Sequence, residues 1–352
     1  MPISNDVIQR LRSALQAAGH PAADQPLVPL PDKGLAHDHV RLQGTGWLAR
    51  IPKQSQLGLA AQDNLHYQRA CFERAAASGH TPVLHGVLPP SGHLPRGALL
   101  VQAIEGRPAR LPHDLPALAA ALAALHALPL PEAAARAPLL NAADPLRSLA
   151  HEIDAQAAHL GAAGLPAPVM AAIEGERRRL QALLEGSDRP ARCLVAFDAH
   201  PGNFIVQPDG RAVLVDLEKC RYAHPGLDLA HATLYTSTTW DVDTQAVLTA
   251  DEVLDFYAAW AEAVGSTASG AQAWHGPLRR AMWLWSITWC AKWRALSSAS
   301  ARAGGDGEDW SSERSEAALV VHVRNRVDHY LGPAVVAEVL DGFDRFERGM
   351  RA

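Results

Sequence analysis

The chain has 352 residues, 48% hydrophobic and 20% charged, with a formal net charge of −5. That balance excludes a disordered chain and supplies enough core for one large domain or two lobes. An acidic surplus gives no reason to expect a nucleic-acid partner. The positive charge is nearly all arginine, with lysine only at positions 33, 53, 219 and 292. Cysteines 71, 193, 220 and 290 are too far apart for a metal or redox pair. A reduced setting is the default for a chain of this size.

The N-terminal stretch MPISNDVIQRLRSALQAAG has no apolar signal region and reads as an amphipathic helix capped by Ser4 or Asn5. Pro-rich PLVPLPDKG then breaks the pattern. Alternation around Gly44-Thr45-Gly46 predicts a hairpin over 38–52. A helical segment follows and stops at Gly79. The stretch from 82 to 104 reads as two short strands around a loop. EGRPA at 105–109 reads as a break and the best hinge. Beyond it, LPALAAALAALHALPL is a helix ending before Pro129, and two more helices fill 144–186. Residues 194–217 form a strand-like island. Helices resume from 244 to 350, interrupted by a Ser/Gly-rich break at 297–312. The most apolar late stretch, AMWLWSITWCAKWRAL, is too short to span a bilayer and carries Lys292 and Arg294. A soluble cytoplasmic protein without a membrane partner is the expectation.

The expected class is α+β, with a small antiparallel-sheet lobe at 1–104 and a larger, mainly helical lobe at 105–352. The island FDAHPGNFIVQPDGRAVLVDLE carries the chemistry. Pro208-Asp209-Gly210 is a turn, because proline presets φ and glycine accepts a positive one. The hairpin brings Asn203, before its first strand, to the same end as Asp216, at the end of its second. Asp198 precedes Asn203 by five residues across AHPG. Three converging oxygen-bearing side chains make poor core, since burying them unpaired costs several kcal/mol. A hard cation such as Mg²⁺ would compensate them, and a carboxylate beside it would accept a hydroxyl proton. Protein kinases use this spacing to place a nucleophile and two Mg²⁺ ions.

With GLDLAH following at 226–231, the block FDAHPGNFIV…LVDLE…GLDLAH resembles the aminoglycoside phosphotransferase and choline kinase superfamily. The resemblance implies a protein-kinase-like, two-lobed phosphotransferase that uses ATP and Mg²⁺ on a small-molecule hydroxyl. It implies Asp198 as catalytic base, Asn203 and Asp216 as Mg²⁺ ligands, and Glu218 as a second-metal or supporting acid. Asp228 would brace the catalytic loop. Glu at the second position of the DLE motif is more similar to the choline-kinase-like and homoserine-kinase-like branches. The resemblance also implies Arg50 on the α/β-phosphates, Gly34 in the nucleotide loop, and a linker at Gln102 to Ile104 for adenine. The linker lies in LLVQAIEG and the first large-lobe helix in LAALHAL.

The chain departs from the family pattern at Ala196-Phe197, where relatives have His-Gly; His200 stands as a replacement. Arg50 stands where many relatives have lysine. Its helix partner, usually Glu, falls at Gln68, with Glu73 as a displaced candidate. Without a third ligand nearby, His37 and His39 read as neighbours on a strand and not as a metal site. Trp285, Trp289 and Trp293 form one helical stripe that reads as core, against an aromatic wall for a cation or sugar. Asp241, Asp243, Asp251 and Asp255 fit either an acidic rim or solvated caps. The alternative function is a pseudokinase-like protein that binds nucleotide without turnover, favoured by the missing His, Gln68 and the absent strand lysine.

Overall fold

A computed structural model describes residues 5–31, 36–298 and 317–351. Helix α1 (Asn5–Ala17) packs on a five-stranded antiparallel sheet. The sheet order is β1 (Leu27–Pro29), β2 (His37–Leu42), β3 (Trp47–Pro52), β5 (Ala98–Gln102), β4 (Leu84–Leu88). Helix α2 (Ala61–Ala75) lies between β3 and β4 in the chain. The expected hairpin is β2–β3, with Val40 opposite Ala49 and His39 opposite Arg50. Period two sorts the side chains. Val40, Leu42, Ala49 and Ile51 join Leu11 and Leu15 of α1 in one core, and His37, His39 and Arg50 take the other face. A one-residue slip would bury the wrong set.

The Pro-rich break does more than interrupt. Its first half is β1, paired with β2 through Leu27–Leu42 and Pro29–Val40. Proline is tolerated there because β1 is an edge strand. The expected hinge at 105–109 contains β6 (Arg107–Pro108), which joins a three-stranded sheet with β8 (Phe204–Val206) and β9 (Ala212–Leu214). A cross-chain pairing of this kind has no local signature.

The remainder is mainly helical: α3 (Leu115–His126), α4 (Pro145–Ala157), α5 (Ala167–Glu185), α6 (Gly226–Thr233), α7 (Tyr235–Thr238), α8 (Ala250–Val264), α9 (Gln272–Ser298), α10 (Ala317–Tyr330) and α11 (Pro333–Gly349). Strands β7 (Cys193–Val195) and β10 (Arg221–Ala223) pair antiparallel. Local chemistry sets several starts. The Asp144 side chain accepts from the N–H groups of Leu146 and Arg147 at the head of α4, with Pro145 in the first turn. Thr249 and Glu252 form a reciprocal capping box on α8, whose first turn also carries Asp251. Among the described residues no helix is long and apolar enough to cross a membrane. Gly34, Ser4 and the Ser/Gly-rich break from residue 299 on lie outside the described residues.

One core joins Leu65 and Phe72 of α2, Leu118 and Leu122 of α3, Phe204 and Trp260. Another gathers α4, α5, α9 and α11 around Trp283 and Phe343. His275 sits in this helical body, 4% exposed, edge-on to Tyr257 at 4.8 Å and Trp260 at 5.8 Å. Burial lowers its pKa from 6.5 to about 4. The folded state therefore holds it neutral while the unfolded chain takes up a proton as pH falls below 6.5. Its contribution is complete above that pH and is lost on descent toward 4. The loss should reach roughly 2 kcal/mol between pH 7 and pH 5. Urea titrations of the wild type and His275→Gln at both pH values measure it. The variant should lose less stability over that interval by about this amount, and identical pH dependence would contradict the assignment.

Candidate active site

The site begins where β7 ends. Ala196 and Phe197 carry the chain to Asp198, and Phe197 has φ 62°, the one non-glycine residue with positive φ among those described. That conformation costs a bulky residue on the order of 1–2 kcal/mol. The surroundings impose it. Asp228, fully buried in α6, accepts from the Ala196 N–H at 2.7 Å and the Phe197 N–H at 2.8 Å. His126 Nε2 lies 3.1 Å from the same carboxylate, and Trp260 Nε1 donates to His126 Nδ1 at 3.0 Å. The Trp260 bond requires Nδ1 to be bare, so Nε2 carries the proton and donates to Asp228. The Phe197 ring is covered by the Arg221 guanidinium at 3.6 Å, and Arg221 pairs with Glu152 at 2.6 Å. The resemblance drawn from the sequence expects glycine where Phe197 stands; here an aspartate and an arginine hold the turn without it. His200 lines the cavity edge-on to His231 at 6.1 Å, while the loop's backbone donors go to Asp228.

The hairpin β8–β9 turns as expected. Gly210 has φ 87°, its N–H bonds Gln207 O at 2.9 Å, and Arg211 N–H bonds the Asp209 side chain at 3.0 Å. The Val215 N–H donates to Asn203 O at 2.9 Å, which fixes the two ends of the hairpin side by side. Asn203 Nδ2 donates to the Asp198 carbonyl at 2.8 Å, leaving its side-chain oxygen for another partner. Asp198, Asn203 and Asp216 all line one cavity of about 510 Å³. Gly202 permits the tight loop, since a Cβ there would sit 2.8 Å from the Asp241 Cβ and 2.9 Å from the His200 ring.

Electrostatics tie the cavity floor to the sheet. Arg50 donates to Asp216 Oδ1 at 2.7 Å and to Val215 O at 3.0 Å. Burial would raise the Asp216 pKa, but Arg50, His37 and Lys219 outweigh it and hold the carboxylate ionised. Glu218 faces the sheet lobe, accepting from Gln56 Nε2 at 2.7 Å and Gln68 Nε2 at 3.4 Å. Burial, then the Asp216 charge, pushes its pKa up to about 8. Gln68 also meets His37 Nε2 at 3.0 Å, and burial followed by Arg50 lowers the His37 pKa to about 3. Gln68 thus serves Glu218 and His37, while Arg50 pairs with Asp216. Glu73 is half-exposed and pairs with Arg69 in its own helix, so it is no displaced partner of Arg50. His37 and His39 do share a face, with ring centroids 6.1 Å apart. Gln102 and Ala103 use their N–H groups on Val83 O and Gly46 O, and past Ile104 the chain enters the cavity wall at Gly106 to Pro108.

Two positions missed in the sequence stand out. Lys219 Nζ lies 2.8 Å from Asp198 Oδ2 and 5.7 Å from the Trp285 ring centre. Burial would make Asp198 harder to ionise, but Lys219, His200 and His231 outweigh it and lower its pKa. The signal was its rarity, one of four lysines in an arginine-based chain. Trp240, which lines the cavity with Trp285, Trp289 and Tyr330, was not singled out. The tryptophan stripe divides. Residues four apart on an α-helix are rotated by about 40°, so Trp293 turns roughly 80° from Trp285 and enters the core at 2% exposure. Of the four acids Asp241 alone is on the cavity wall.

A small antiparallel sheet over a helical body, with a cavity floored by an Asp, an Asn and a hairpin Asp, defines a kinase-like fold. The chain belongs to the phosphotransferase enzyme family (APH), whose model matches residues 28–263. It is therefore a nucleotide-using phosphotransferase with an alcohol group as acceptor. Solved structures agree on the fold. A choline/ethanolamine kinase family protein from Mesorhizobium loti is 17% identical, with a TM-score of 0.62 over 98% of this chain and 99% of that one. A putative aminoglycoside phosphotransferase from Ralstonia eutropha is 11% identical, with 0.60 over 97% and 98%. An aminoglycoside phosphotransferase in a ternary complex with streptomycin and ATP is 14% identical, with 0.53 over 94% and 97%. Among curated proteins none matches this sequence.

Proposed function

We propose that the chain transfers the γ-phosphoryl group of ATP to a small-molecule hydroxyl with Mg²⁺ bound, and that Asp198 is the base. The observation that carries this reading is the convergence of Asp198, Asn203 and Asp216 on one cavity between sheet and helices. Asp198 is ionised and lies at the junction of the hairpin and the aromatic wall, where it would orient the acceptor hydroxyl and take its proton. Asn203 and Asp216 would hold the metal. Their free donors are an amide oxygen and a carboxylate oxygen, the hard ligands that Mg²⁺ accepts while keeping phosphates and water in its remaining positions. Among the described residues no group of three or more His, Cys, Asp or Glu forms a metal cage, and a two-ligand site shared with phosphates needs none. When bound, the metal would neutralise charge on the transferring phosphates.

Glu218, engaged by Gln56 and Gln68, supports a role in joining the lobes over one in ligation. Arg50 would turn from Asp216 toward the α/β-phosphates, and Ile104 with Gln102 would bracket the adenine. Most of the rate gain would come from positioning and charge neutralisation. The lobes themselves are proposed to divide near residue 104. A cytoplasmic setting suits an ATP-dependent reaction.

The acceptor side is walled by Trp240, Trp285, Trp289 and Tyr330, with Asp241 as its carboxylate. Flat apolar walls with one acid support a compact alcohol more than a polycationic aminoglycoside. The test is ADP release from ATP·Mg²⁺ across choline, ethanolamine, homoserine, thiamine, amino sugars and aminoglycosides. At least one alcohol should raise ADP release well above the no-acceptor rate. Mg²⁺-dependent ATP binding with no transfer to any of them would favour a binding protein instead.

A further inference from the structure

We propose that Lys219 is a further catalytic residue, a cation that leaves Asp198 to grip the transferring phosphoryl group; this rests on the phosphotransferase reading above. Lys219 occupies the boundary between the two halves of the cavity. On one side is Asp198 Oδ2 at 2.8 Å, on the other the Trp285 face at 5.7 Å. Its side chain is 13% exposed and lines the cavity, so its charge is only weakly screened by water. An ammonium has three donors on a flexible stem, and Asp198 takes one of them.

The two arginines that line the cavity have other partners, and Arg50 is the one proposed above for the α/β-phosphates, not the γ-phosphoryl group. Arg107 is held by both oxygens of Asp114, at 2.5 and 3.0 Å. Arg50 lies on Asp216 and Val215, on the sheet side of the hairpin. A triphosphate brings several negative charges to a floor that already carries Asp198 and Asp216. The cation at the meeting point of donor and acceptor is Lys219. In the transfer the bond from the γ-phosphorus to the bridging oxygen breaks and a bond to the acceptor oxygen forms. The acceptor proton passes to Asp198, and Lys219 keeps its own proton throughout, balancing charge on the equatorial oxygens. The Lys219–Asp198 pair in the free protein then has a second use: it holds Oδ2 of Asp198, while Oδ1 lies 3.7 Å from His231 Nδ1.

A purely structural clamp and a phosphoryl ligand make different predictions for nucleotides that differ by one phosphate. Calorimetric titration with AMP-PNP·Mg²⁺ and ADP·Mg²⁺ reads the difference without needing the acceptor. Lys219→Met should weaken AMP-PNP binding about tenfold, the value of a charge-assisted hydrogen bond, and leave ADP binding within about twofold. Lys219→Arg should restore most of the preference. Asp198→Asn, which releases the ammonium, should raise the AMP-PNP to ADP affinity ratio above wild type, and it serves as the independent variant if Lys219→Met fails to fold. An unchanged ratio in Lys219→Met, or in Asp198→Asn where that variant alone folds, would overturn the proposal. A wild type that binds neither nucleotide would overturn the phosphotransferase reading first, and this inference with it.

Discussion

Asp198→Asn should abolish phosphoryl transfer while sparing nucleotide binding. The substitution keeps size and shape but removes the charge that receives the acceptor proton. General-base removal costs on the order of 100- to 10,000-fold in rate. The expected result is therefore at least a 100-fold fall in kcat on any alcohol the wild type phosphorylates, with ADP·Mg²⁺ affinity within about threefold. In the proposed binding mode ADP would touch neither the acceptor side nor the Asp198 oxygens. Initial rates by coupled ADP detection and a calorimetric titration decide the matter. Full activity in the variant would remove Asp198 from the role of base.

The second large effect belongs to Asp228. Its carboxylate is fully buried and meets three donors: Ala196 N–H, Phe197 N–H and His126 Nε2. Asp228→Ala would strand two backbone donors and the His126–Trp260 chain. It would also remove the groups that hold Phe197 at φ 62°. Leaving such partners buried and unmet costs about 3–5 kcal/mol, measured by urea denaturation. Where the variant still folds, kcat should fall too, because Phe197 directly precedes Asp198. Asp228→Asn should be intermediate: its single carbonyl oxygen can accept from one loop N–H, and its amide faces the other. A loss under about 1 kcal/mol in Asp228→Ala would show that the loop is braced elsewhere.

What the sequence made legible follows the range of each interaction. Asp198, Asn203 and Asp216 lie within nineteen positions, joined by one loop and one turn, so their meeting could be read from spacing and the chemistry of Pro208 to Gly210. The hairpin β2–β3 was legible for the same reason. Arg50 and Asp216 are 166 positions apart, His126 and Asp228 are 102, and Glu218 and Gln68 are 150. No local pattern encodes those pairs. The three-residue strands β1 and β10 exist because of their partners, and β1 was hidden by its prolines. The tryptophan stripe misled by its regularity: an i, i+4, i+8 repeat drifts around the helix, so its members need not share a fate. Lys219 was overlooked because its meaning depends on Asp198, 21 positions earlier, and on Trp285, 66 positions later.

The proposed function requires Asn203 and Asp216 to serve as the metal-binding floor of a nucleotide site. Calorimetric titration of ADP into wild type and Asp216→Asn, each with Mg²⁺ and with the metal chelated, tests this directly. The wild type should bind ADP at least tenfold more tightly with Mg²⁺, and Asp216→Asn should lose most of that gain. Equal ADP affinity with and without the metal, or an unaltered metal dependence in Asp216→Asn, would contradict it.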